Sequence, residues 1–561
     1  MSGLNLLVFR GDQRHASGQK MKAALTAQLE QLCSHCSHGA MLGALLLAGE
    51  LECGVADVDG EAACSFERLT DRIADALVPG EFKSSGTYLK LQTLDLESLA
   101  KAARDLPAPG QLRISTPEGF AYYALYPLAY ANVAREISAP DHLLVVGIRS
   151  IGTTLSSVVA AAARARGISA ERFTVRPLGH PYNRSAEFSA QQMASIRKAV
   201  TCGASFAVVD EGPGLSGSSF LAVAEALERA GASTEKIVLI SSHAPNVDAL
   251  CATDAARRWQ RFRCIPVGGE ARRPDQAMEF AGGGQWRNRL IANEAEWPAS
   301  WTSFERLKYL SPTGQGDQRL FKFAGFGHYG DAVFERERKV AAAGFGPMPR
   351  EESDGFTSYP WIFSAGMNSR PMSESDLNSD IMARMAEYCA FRLRAFAVEL
   401  PDLNALQQMA DHNLRELGLE LDARLRLERP VIADGRMQPH EWLLSKDGKL
   451  LKTDSGSHGD DHFFPGPTDI AWDLAGAIVE WQMNEQQIAE FLGRYCCASG
   501  DDASARIDGF VKAYAVFRLG YCLMAANAMT GSDEQPRQLR AATGYRAVLA
   551  KIQPQSCSAL A

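Results

Sequence analysis

Two adjacent acidic residues, Asp210 and Glu211, follow a hydrophobic segment in the string FAVVDEGPGLSGSSF (206–220). Carboxylates at the end of a strand can accept hydrogen bonds from the two hydroxyls of a ribose. The Gly/Ser-rich segment after them offers backbone N–H groups and hydroxyls, and it opens a predicted helix whose N-terminus favours anions. The residues of this predicted anion loop are Gly212, Gly214, Ser216, Gly217, Ser218 and Ser219. The pattern outlines a cradle for a ribose 5-phosphate.

This string resembles the phosphoribosyl-diphosphate loop of type I phosphoribosyltransferases, in which two acidic residues precede a T-G-x-T-like loop. Ser216, Gly217 and Ser219 stand in for the Thr/Gly/Thr set, with one more residue than the usual spacing. About 60 residues earlier, VVGIRSIGTTLS (145–156) resembles the diphosphate loop of the same family. The resemblance implies that phosphoribosyl diphosphate binds with Mg²⁺, with Arg149 at the diphosphate, and that the diphosphate is exchanged for an acceptor. The alternative is a Gly/Ser turn in some other α/β domain.

Basic side chains lie near both loops in the sequence. Arg176, His180 and Arg184 fall between them, in either a mobile lid that carries positive charge to the diphosphate or a surface loop. His243 follows the next predicted strand, at the carboxyl edge where open α/β sheets bind ligands. We expect His243 to lie near the predicted anion loop, whether or not it contacts a substrate.

A second kind of chemistry is indicated by a lysine in an apolar strand, Lys322 in RLFKFAG. Glu335 and Glu337 follow on a predicted helix, and a strand lysine paired with a helix glutamate holds nucleotide phosphates in the protein-kinase fold. The string FERERKVAAAGFGPMP resembles this helix and its exit in aminoglycoside-phosphotransferase-like kinases. The resemblance implies an ATP site.

Residues 434–476 follow the order of the catalytic segment of the same family. The resemblance implies that Asp454 is the metal-binding Asp, and that Asp469 or Asp473 is the later structural or substrate-side Asp. No Gly-rich phosphate-covering loop is evident, and the nearest turn is SPTGQGDQ (311–318).

The catalytic segment departs from the family at two positions. Lined up on Pro439, the catalytic Asp falls on Arg436 and the metal-binding Asn falls on Glu441. Arginine cannot act as a base, whereas the carboxylate of Glu441 could bind Mg²⁺. Asp434 and His440 are the candidate substitutes for the missing base.

Two short strings have spacings that could suit a metal. SHGDDHF (457–463) contains His458, Asp460, Asp461 and His462, and its alternative is a polar loop beside the predicted metal-binding Asp. CSHCSH (33–38) contains Cys33, Cys36 and His38, but a structural zinc site needs four ligands. We expect thiols in a helical turn at the second string.

The elements that must position these residues fall into three regions. Helical periodicity predicts helices over 20–50, 65–77 and 94–106, with a strand at 51–58 and an aromatic-faced helix at 116–137. Strands and helices alternate from about 140 to 270, which favours a parallel sheet. The segment 267–288 is predicted to be a linker or a partly ordered connection. Two hairpins are predicted, at 304–325 and 442–454.

We therefore expect an α/β multidomain protein with a parallel-sheet phosphoribosyltransferase-like domain, an α+β kinase-like domain and an N-terminal helical region. The predicted domains are 1–110, 111–275 and 276–561.

Composition excludes several classes of protein. With 58 Lys and Arg against 66 Asp and Glu, the net charge of −8 argues against a chain dominated by a nucleic-acid-binding surface. The apolar stretch near 41–49 is far shorter than the ~20 residues of a membrane-spanning helix, and the first residues do not resemble a secretory signal. Twelve cysteines without framework spacing suggest reduced thiols, so we expect a cytoplasmic protein with no membrane partner.

The principal functional prediction is an enzyme that transfers a phosphoribosyl group from phosphoribosyl diphosphate to an acceptor, or the reverse, coupled to an ATP-binding kinase-like domain. One alternative is an ATP-dependent small-molecule kinase whose middle domain senses a ribose phosphate. Another is a non-enzymatic nucleotide-binding regulatory protein with a pseudokinase. The acceptor, the pathway and the oligomeric state are left open by the sequence.

Overall fold

A computed structural model describes most of the chain. The described residues are 6–8, 13–78, 93–137, 141–268, 273–275, 279–312, 318–362, 370–400, 402–445, 447–460, 463 and 466–552.

The N-terminal region is a helical layer, as predicted. Its elements are β1 (Gln13–Ser17), α1 (Gly18–Ser34), α2 (His38–Val58), α3 (Ala63–Leu77), α4 (Thr93–Asp105), β2 (Gln111–Ser115) and α5 (Glu118–Ala121). Ser17 and Ser37 cap α1 and α2 by accepting hydrogen bonds from backbone N–H groups. The cap at Ser37 starts a new helix, so the break falls between α1 and α2. The predicted strand at 51–58 is wrong, because this segment continues the buried apolar helix α2 without a turn residue to stop it.

The aromatic-faced helix predicted over 116–137 is also wrong as one element. The short helix α5 ends at Ala121, and a 3₁₀ helix begins at Pro127. The described 3₁₀ helices are Pro127–Arg135, Thr234–Lys236, Val247–Ala249, Glu294–Glu296, Thr302–Phe304, Glu374–Asp376, Pro439–Glu441 and His458–Asp460.

The middle of the chain forms the predicted parallel sheet, with strand order β4-β3-β7-β8-β9. Its elements are β3 (His142–Ile148), α6 (Ile151–Ala165), β4 (Ser169–Val175), β5 (Leu178–His180), β6 (Asn183–Ser185), α7 (Ala190–Thr201), β7 (Ser205–Val209), α8 (Ser218–Arg229), β8 (Ile237–Ser241), α9 (Ala255–Trp259) and β9 (Arg263–Pro266). The central strands are buried on both faces, which matches their continuous apolar sequence. The hairpin β5–β6 follows β4 and projects from the carboxyl edge.

An antiparallel sheet follows, with strand order β10-β11-β12-β14-β13. Its elements are β10 (Glu279–Phe280), α10 (Arg287–Leu290), β11 (Lys308–Leu310), β12 (Arg319–Phe323), α11 (His328–Ala342), β13 (Arg350–Glu351) and β14 (Phe356–Pro360). The hairpin β11–β12 is present as predicted. The segment 267–288 is the partly ordered connection of the two predicted alternatives, because it contains β10, the edge strand of this sheet.

The last part is mostly helical, and it carries the second predicted hairpin, β17–β18. Its elements are β15 (Arg370–Pro371), α12 (Ser379–Ala395), α13 (Asn404–Glu416), β16 (Pro430–Val431), β17 (Trp442–Leu444), β18 (Leu450–Lys452), β19 (Thr468–Asp469), α14 (Ala471–Glu480), α15 (Glu485–Ser499), α16 (Ile507–Ala528) and α17 (Glu534–Lys551). A cleft separates this helical part from the antiparallel sheet.

One hydrophobic core runs from the N-terminal helices through a face of the parallel sheet into the antiparallel sheet. The N–H of Phe326 donates to the carbonyl of Phe120 at 3.0 Å, and the hydroxyl of Tyr329 donates to Glu50 at 2.8 Å. Among the described helices, α2 is long and apolar enough to cross a membrane, but 89% of its most apolar window is buried inside the protein, as in a core helix.

Candidate functional site

Lys322 and Asp454 meet in the cleft below the antiparallel sheet. The Nζ of Lys322, on β12, lies 2.7 Å from Oδ1 of Asp454 and 3.1 Å from Oγ of Ser457. Asp454 follows β18 and has a positive φ of 54°, which turns the chain sharply after the hairpin. Burial acts to raise its pKa, but Lys322 and then Lys308 hold the pKa of Asp454 well below its ordinary value. The carboxylate is therefore ionised and partly balanced by lysines.

Of the two predicted helix glutamates, the structure brings Glu337 to the cleft and not Glu335. Glu337 lies on the buried face of α11, where burial raises its pKa to about 7 although Lys322 acts to lower it. Gly456 makes room for it, since a Cβ there would lie 2.4 Å from Cγ of Glu337. Glu335 lies on the exposed face and pairs with Arg338.

The turn at Asp434–Arg436 is fixed by Asp473 on α14. The backbone N–H groups of Asp434 and Gly435 donate to the two carboxylate oxygens of Asp473, at 2.8 and 3.0 Å. Arg436, at the position where the catalytic Asp was expected, lines the cleft. Asp469, the other predicted late Asp, instead accepts backbone N–H groups of residues 428 and 429 and pairs with Arg506, away from the cleft lining.

Neither predicted substitute for the base is suited to that role. Asp434 is fully buried outside the cleft lining and accepts a hydrogen bond from Tyr388. His440 lines the cleft and stacks on Trp286, but burial, and then Lys452 and Arg436, lower the pKa of its ring to about 3. A neutral imidazole with that pKa is a weak proton acceptor.

Glu441, the predicted second metal ligand, already has a cation beside it. Carboxylate or ring atoms of Asp434, Glu441 and His458 lie within 4.8 Å of one another, a spacing that suits a metal ion. The Nζ of Lys452 lies 2.8 Å from Glu441 and 3.3 Å from Asp434. At Glu441 the lysine ammonium therefore supplies the positive charge. Oδ2 of Asp454, 3.9 Å from Nε2 of His458, is the carboxylate oxygen that would hold a divalent ion.

A cavity of about 190 Å³ occupies the cleft. Its lining includes the apolar side chains of Leu320, Trp361, Ile362 and Leu443, which suit a planar base. The lysines, Asp454 and a cluster of aromatic and basic side chains also line it.

The connection between β10 and β11, residues 281–307, covers this cavity. It begins with Ala281 and three glycines, of which Gly283 and Gly284 have positive φ angles of 58° and 78°. Arg287 fastens it to α17 through Glu534, at 2.6 and 3.2 Å, with both side chains nearly buried. The sequence showed no Gly-rich phosphate-covering loop, and of its nearest turn, 311–318, residues 313–317 lie outside the described residues. The run AGGG directly follows β10, and 23 residues separate it from β11.

At the carboxyl edge of the parallel sheet, Asp210 and Glu211 follow β7 as predicted. Burial raises the pKa of Asp210 to about 7, although the N–H groups of Glu211 and Gly152 donate to it. The contact with Gly152 brings the two predicted loops together, because Gly152 lies in the first turn of α6, three residues after Arg149. The hydroxyl of Tyr130 donates to the carbonyl of Asp210 at 3.0 Å.

The predicted anion loop is covered by the hairpin β5–β6. The hydroxyls of Ser216 and Ser218 both donate to the carbonyl of Pro181 at the hairpin's tip, at 2.8 and 2.6 Å. Gly214 and Gly217 have positive φ angles of 58° and 71°, which residues with a side chain rarely adopt. The remaining predicted loop residues are Gly212, which adjoins the ring of His243, and Ser219, in the first turn of α8.

The predicted diphosphate-side arginines are engaged by the N-terminal region. Arg149 and Arg176 both pair with Asp57 of α2, at 3.1 and 2.6 Å. His180 accepts a hydrogen bond from the N–H of Tyr182 within the hairpin. Diphosphate binding at Arg149 would therefore compete with Asp57, a contact that the sequence could not reveal because 92 residues separate the two.

The two short metal-like strings are only partly brought together. His458 lies in the cleft, 3.9 Å from Asp454 and 4.0 Å from Glu441, while the side chain of Asp460 and all of Asp461 and His462 lie outside the described residues. In CSHCSH, the Sγ of Cys33 donates to a carbonyl of its own helix, and His38 contacts the hydroxyl of Tyr126.

No protein-family model and no curated protein matches this sequence. Similar solved structures are a choline kinase, LicA, from Streptococcus pneumoniae (15% identity, TM-score 0.28, covering 43% of this chain and 89% of that one) and a choline/ethanolamine kinase family protein from Mesorhizobium loti (17%, 0.30, 47% and 94%). A third is an aminoglycoside phosphotransferase from Alicyclobacillus acidocaldarius (14%, 0.29, 44% and 87%).

Proposed function

We propose that this protein is an ATP-dependent phosphotransferase that phosphorylates a small molecule in the cleft. The observation that carries the proposal is the contact of 2.7 Å between Lys322 on β12 and Asp454 after β18, with Glu337 on the helix between β12 and β13. This is the order in which kinase-like folds place a phosphate-binding lysine, its helix glutamate and a metal-binding aspartate.

The roles follow from charge and position. Lys322 and Lys308 neutralise the nucleotide's phosphates, and Asp454 would hold Mg²⁺, which supplies further positive charge at those phosphates. Phosphoryl transfer depends chiefly on positioning and on stabilising negative charge, so it does not strictly require a base. Arg436 stabilises charge on the transferring group, while the acceptor's proton leaves with an oxygen of the phosphoryl group or to water.

The test is ATP binding and turnover with Mg²⁺ in the whole protein and in two lysine variants. Lys322→Met removes a charged contact worth ~1.5–3 kcal/mol, so ATP affinity should fall about 10- to 100-fold. Lys449→Met is the matched control, since Lys449 is 71% exposed on the β17–β18 turn. Equal ATP affinity in both variants, measured by calorimetry with thermal melts to verify folding, would contradict the proposal.

Arg436 favours a second candidate function, a regulatory protein that binds nucleotide without transferring its phosphate. In that case the protein binds ATP and Lys322→Met weakens this binding. No labelled γ-phosphate is transferred to any metabolite in a small-molecule extract. Arg436→Asp would then supply the missing carboxylate base. Transfer by this variant and none by the unaltered protein would select the regulatory function.

The parallel-sheet part supports a separate proposal, that it binds a compound containing ribose 5-phosphate, with phosphoribosyl transfer as the finer form. The supporting observation is that Asp210, Glu211 and the loop 212–219 follow β7 next to the first turn of α6. Asp210→Asn with Glu211→Gln should abolish binding of phosphoribosyl diphosphate. The exposed Asp254→Asn should leave it unchanged, and retention of binding in the double variant would refute the assignment.

A further inference from the structure

The lining of the cleft carries more positive than negative side chains. Among the described residues, the lining contains six basic residues and four carboxylates. Two further carboxylates lie outside the lining, Asp434 at 3.3 Å from Lys452 and Glu480 at 3.4 Å from Arg518. The basic residues of the lining are Arg306, Lys308, Lys322, Arg436, Lys452 and Arg518, and its carboxylates are Glu305, Glu337, Glu441 and Asp454. An acceptor carrying an ammonium group would add a seventh positive charge to this space.

Two of these arginines lie beside the same aromatic ring of the lining. Arg518 lies 5.1 Å from the ring centre of Tyr521, and Arg436 lies 5.7 Å from the same ring. Tyr521 contacts Trp301, and Trp301 contacts Phe304. We call this connected group, together with Tyr122, Tyr123 and Arg306, the aromatic–arginine end.

Arg306 is the arginine of the lining that is best placed to bind an anion. Its guanidinium donates to the carbonyls of Ala121 and Ala324, at 3.1 and 2.7 Å, and lies 5.2 Å from the ring centre of Tyr122. Among the described residues, its hydrogen bonds go to backbone carbonyls and not to carboxylates. By contrast, Lys308, Lys322 and Lys452 each have a carboxylate within 2.8 Å.

The aromatic–arginine end also borders the carboxyl edge of the parallel sheet. Tyr122 and Tyr123 follow directly after α5, and Gly119 of α5 packs against Glu211, where a Cβ would lie 2.7 Å from Oε1. The single helical turn α5 therefore separates the cleft from Glu211 and the predicted anion loop that follows it. A phosphate-bearing compound that leaves the first site is adjacent to the cations of the second.

From these observations we propose that the acceptor of the phosphotransferase is an anion, a small phosphate-bearing polyol, bound at the aromatic–arginine end with Arg306 on its phosphate. The inference rests on the proposed function and names its substrate class. In the reaction, the bond between the γ-phosphorus and the β–γ bridging oxygen breaks, and a bond from an acceptor hydroxyl oxygen to that phosphorus forms. The bond electrons stay with the nucleoside diphosphate, and the hydroxyl proton passes to a phosphoryl oxygen or to water.

The test measures binding of three probes to the full chain saturated with Mg²⁺ and a non-hydrolysable ATP analogue. Ribose 5-phosphate should bind saturably, ribose at least tenfold more weakly, and choline not measurably. To separate the cleft from the parallel-sheet loop, the titration is repeated in the Asp210→Asn, Glu211→Gln double variant, in which cleft binding should persist.

Arg306→Gln in that background should weaken ribose 5-phosphate at least tenfold while the ATP analogue's affinity changes less than twofold. Arg306→Lys, which keeps the charge, should stay within about threefold of the parent, and Arg289→Gln, half exposed on the outer surface, should have no effect. Choline or ribose binding as tightly as ribose 5-phosphate, no probe binding beside a bound analogue, or an unaffected Arg306→Gln would each overturn the inference. Failure of the analogue itself to bind would instead refute the proposed function.

Discussion

At the scale of single residues, the clearest titrating group is Asp210. Burial raises the pKa of its carboxyl to about 7 in the folded protein, against ~3.9 when exposed. Between these values the folded state holds a proton that the unfolded state releases. The free energy of unfolding therefore falls as pH rises through this window, by up to about 4 kcal/mol from this group.

Asp210→Asn should remove that dependence, because an amide oxygen can still accept the N–H groups of Glu211 and Gly152 without carrying charge. We expect the melting temperature of the variant, relative to that of the parent, to rise from about pH 4 to pH 7 and to level off above pH 7. Thermal melts across this range measure the difference. A difference that does not grow with pH would contradict the assigned pKa.

Lys452 acts as a fixed cation between two buried carboxylates. Replacing it by alanine leaves Asp434 and Glu441 without their ammonium, and breaking a buried pair costs ~3–5 kcal/mol. Because those oxygens and His458 have a spacing that suits a metal, Mg²⁺ or Mn²⁺ should restore part of the lost stability. We expect these ions to raise the melting temperature of Lys452→Ala more than that of the parent. An equal rise in both proteins would show that no metal ion binds where the ammonium of Lys452 was removed.

At the scale of elements, the connection 281–307 is held by a buried ion pair. Arg287→Ala breaks its contact with Glu534, and since Glu534 keeps Arg537 the cost should be near the lower end of ~3–5 kcal/mol. We expect faster chymotryptic cleavage within the connection and weaker ATP binding. Arg289→Ala removes an exposed pair worth ~0–1 kcal/mol and is the control. Equal cleavage of the two variants would mean that the pair does not hold the connection.

The sequence predicted the elements whose signals are local. The lysine strand, the helix after it and both hairpins follow from short-range patterns, as does the parallel sheet. Glu335 and Glu337 could not be distinguished from spacing alone, since only the packing of α11 shows which one is buried. The pairing of Arg149 with Asp57 and the docking of Arg287 on Glu534 join residues 92 and 247 positions apart, and no local pattern records them.

At the scale of the whole molecule, the N-terminal helices and the antiparallel sheet share one core. Gly43 of α2 lies against Gly327, where a Cβ on Gly43 would be 3.4 Å from the Gly327 Cα and 2.7 Å from Gln28 Nε2. Gly43→Val should therefore separate the two surfaces. We expect a single melting transition by calorimetry, and this variant should lower its midpoint temperature.

Gly39→Ala, in the same helix with nothing within 4 Å of its Cβ, should instead stabilise the protein by ~0.5–1 kcal/mol. Two transitions, of which Gly43→Val shifts one, would show that the parts unfold independently. The predicted division of the chain at residues 110 and 275 stays a prediction, because the shared core crosses both positions.

The shared core has a consequence for how such a protein can change over generations. A recombination event near residue 275 would give one product in which Phe321, Phe323 and Phe326 lose the helices that cover them, and another in which those helices face water. Exposed apolar surface of this kind favours aggregation. The two halves can therefore exchange with foreign partners only if the new partner brings a matching surface, so they are expected to be inherited together rather than shuffled as modules.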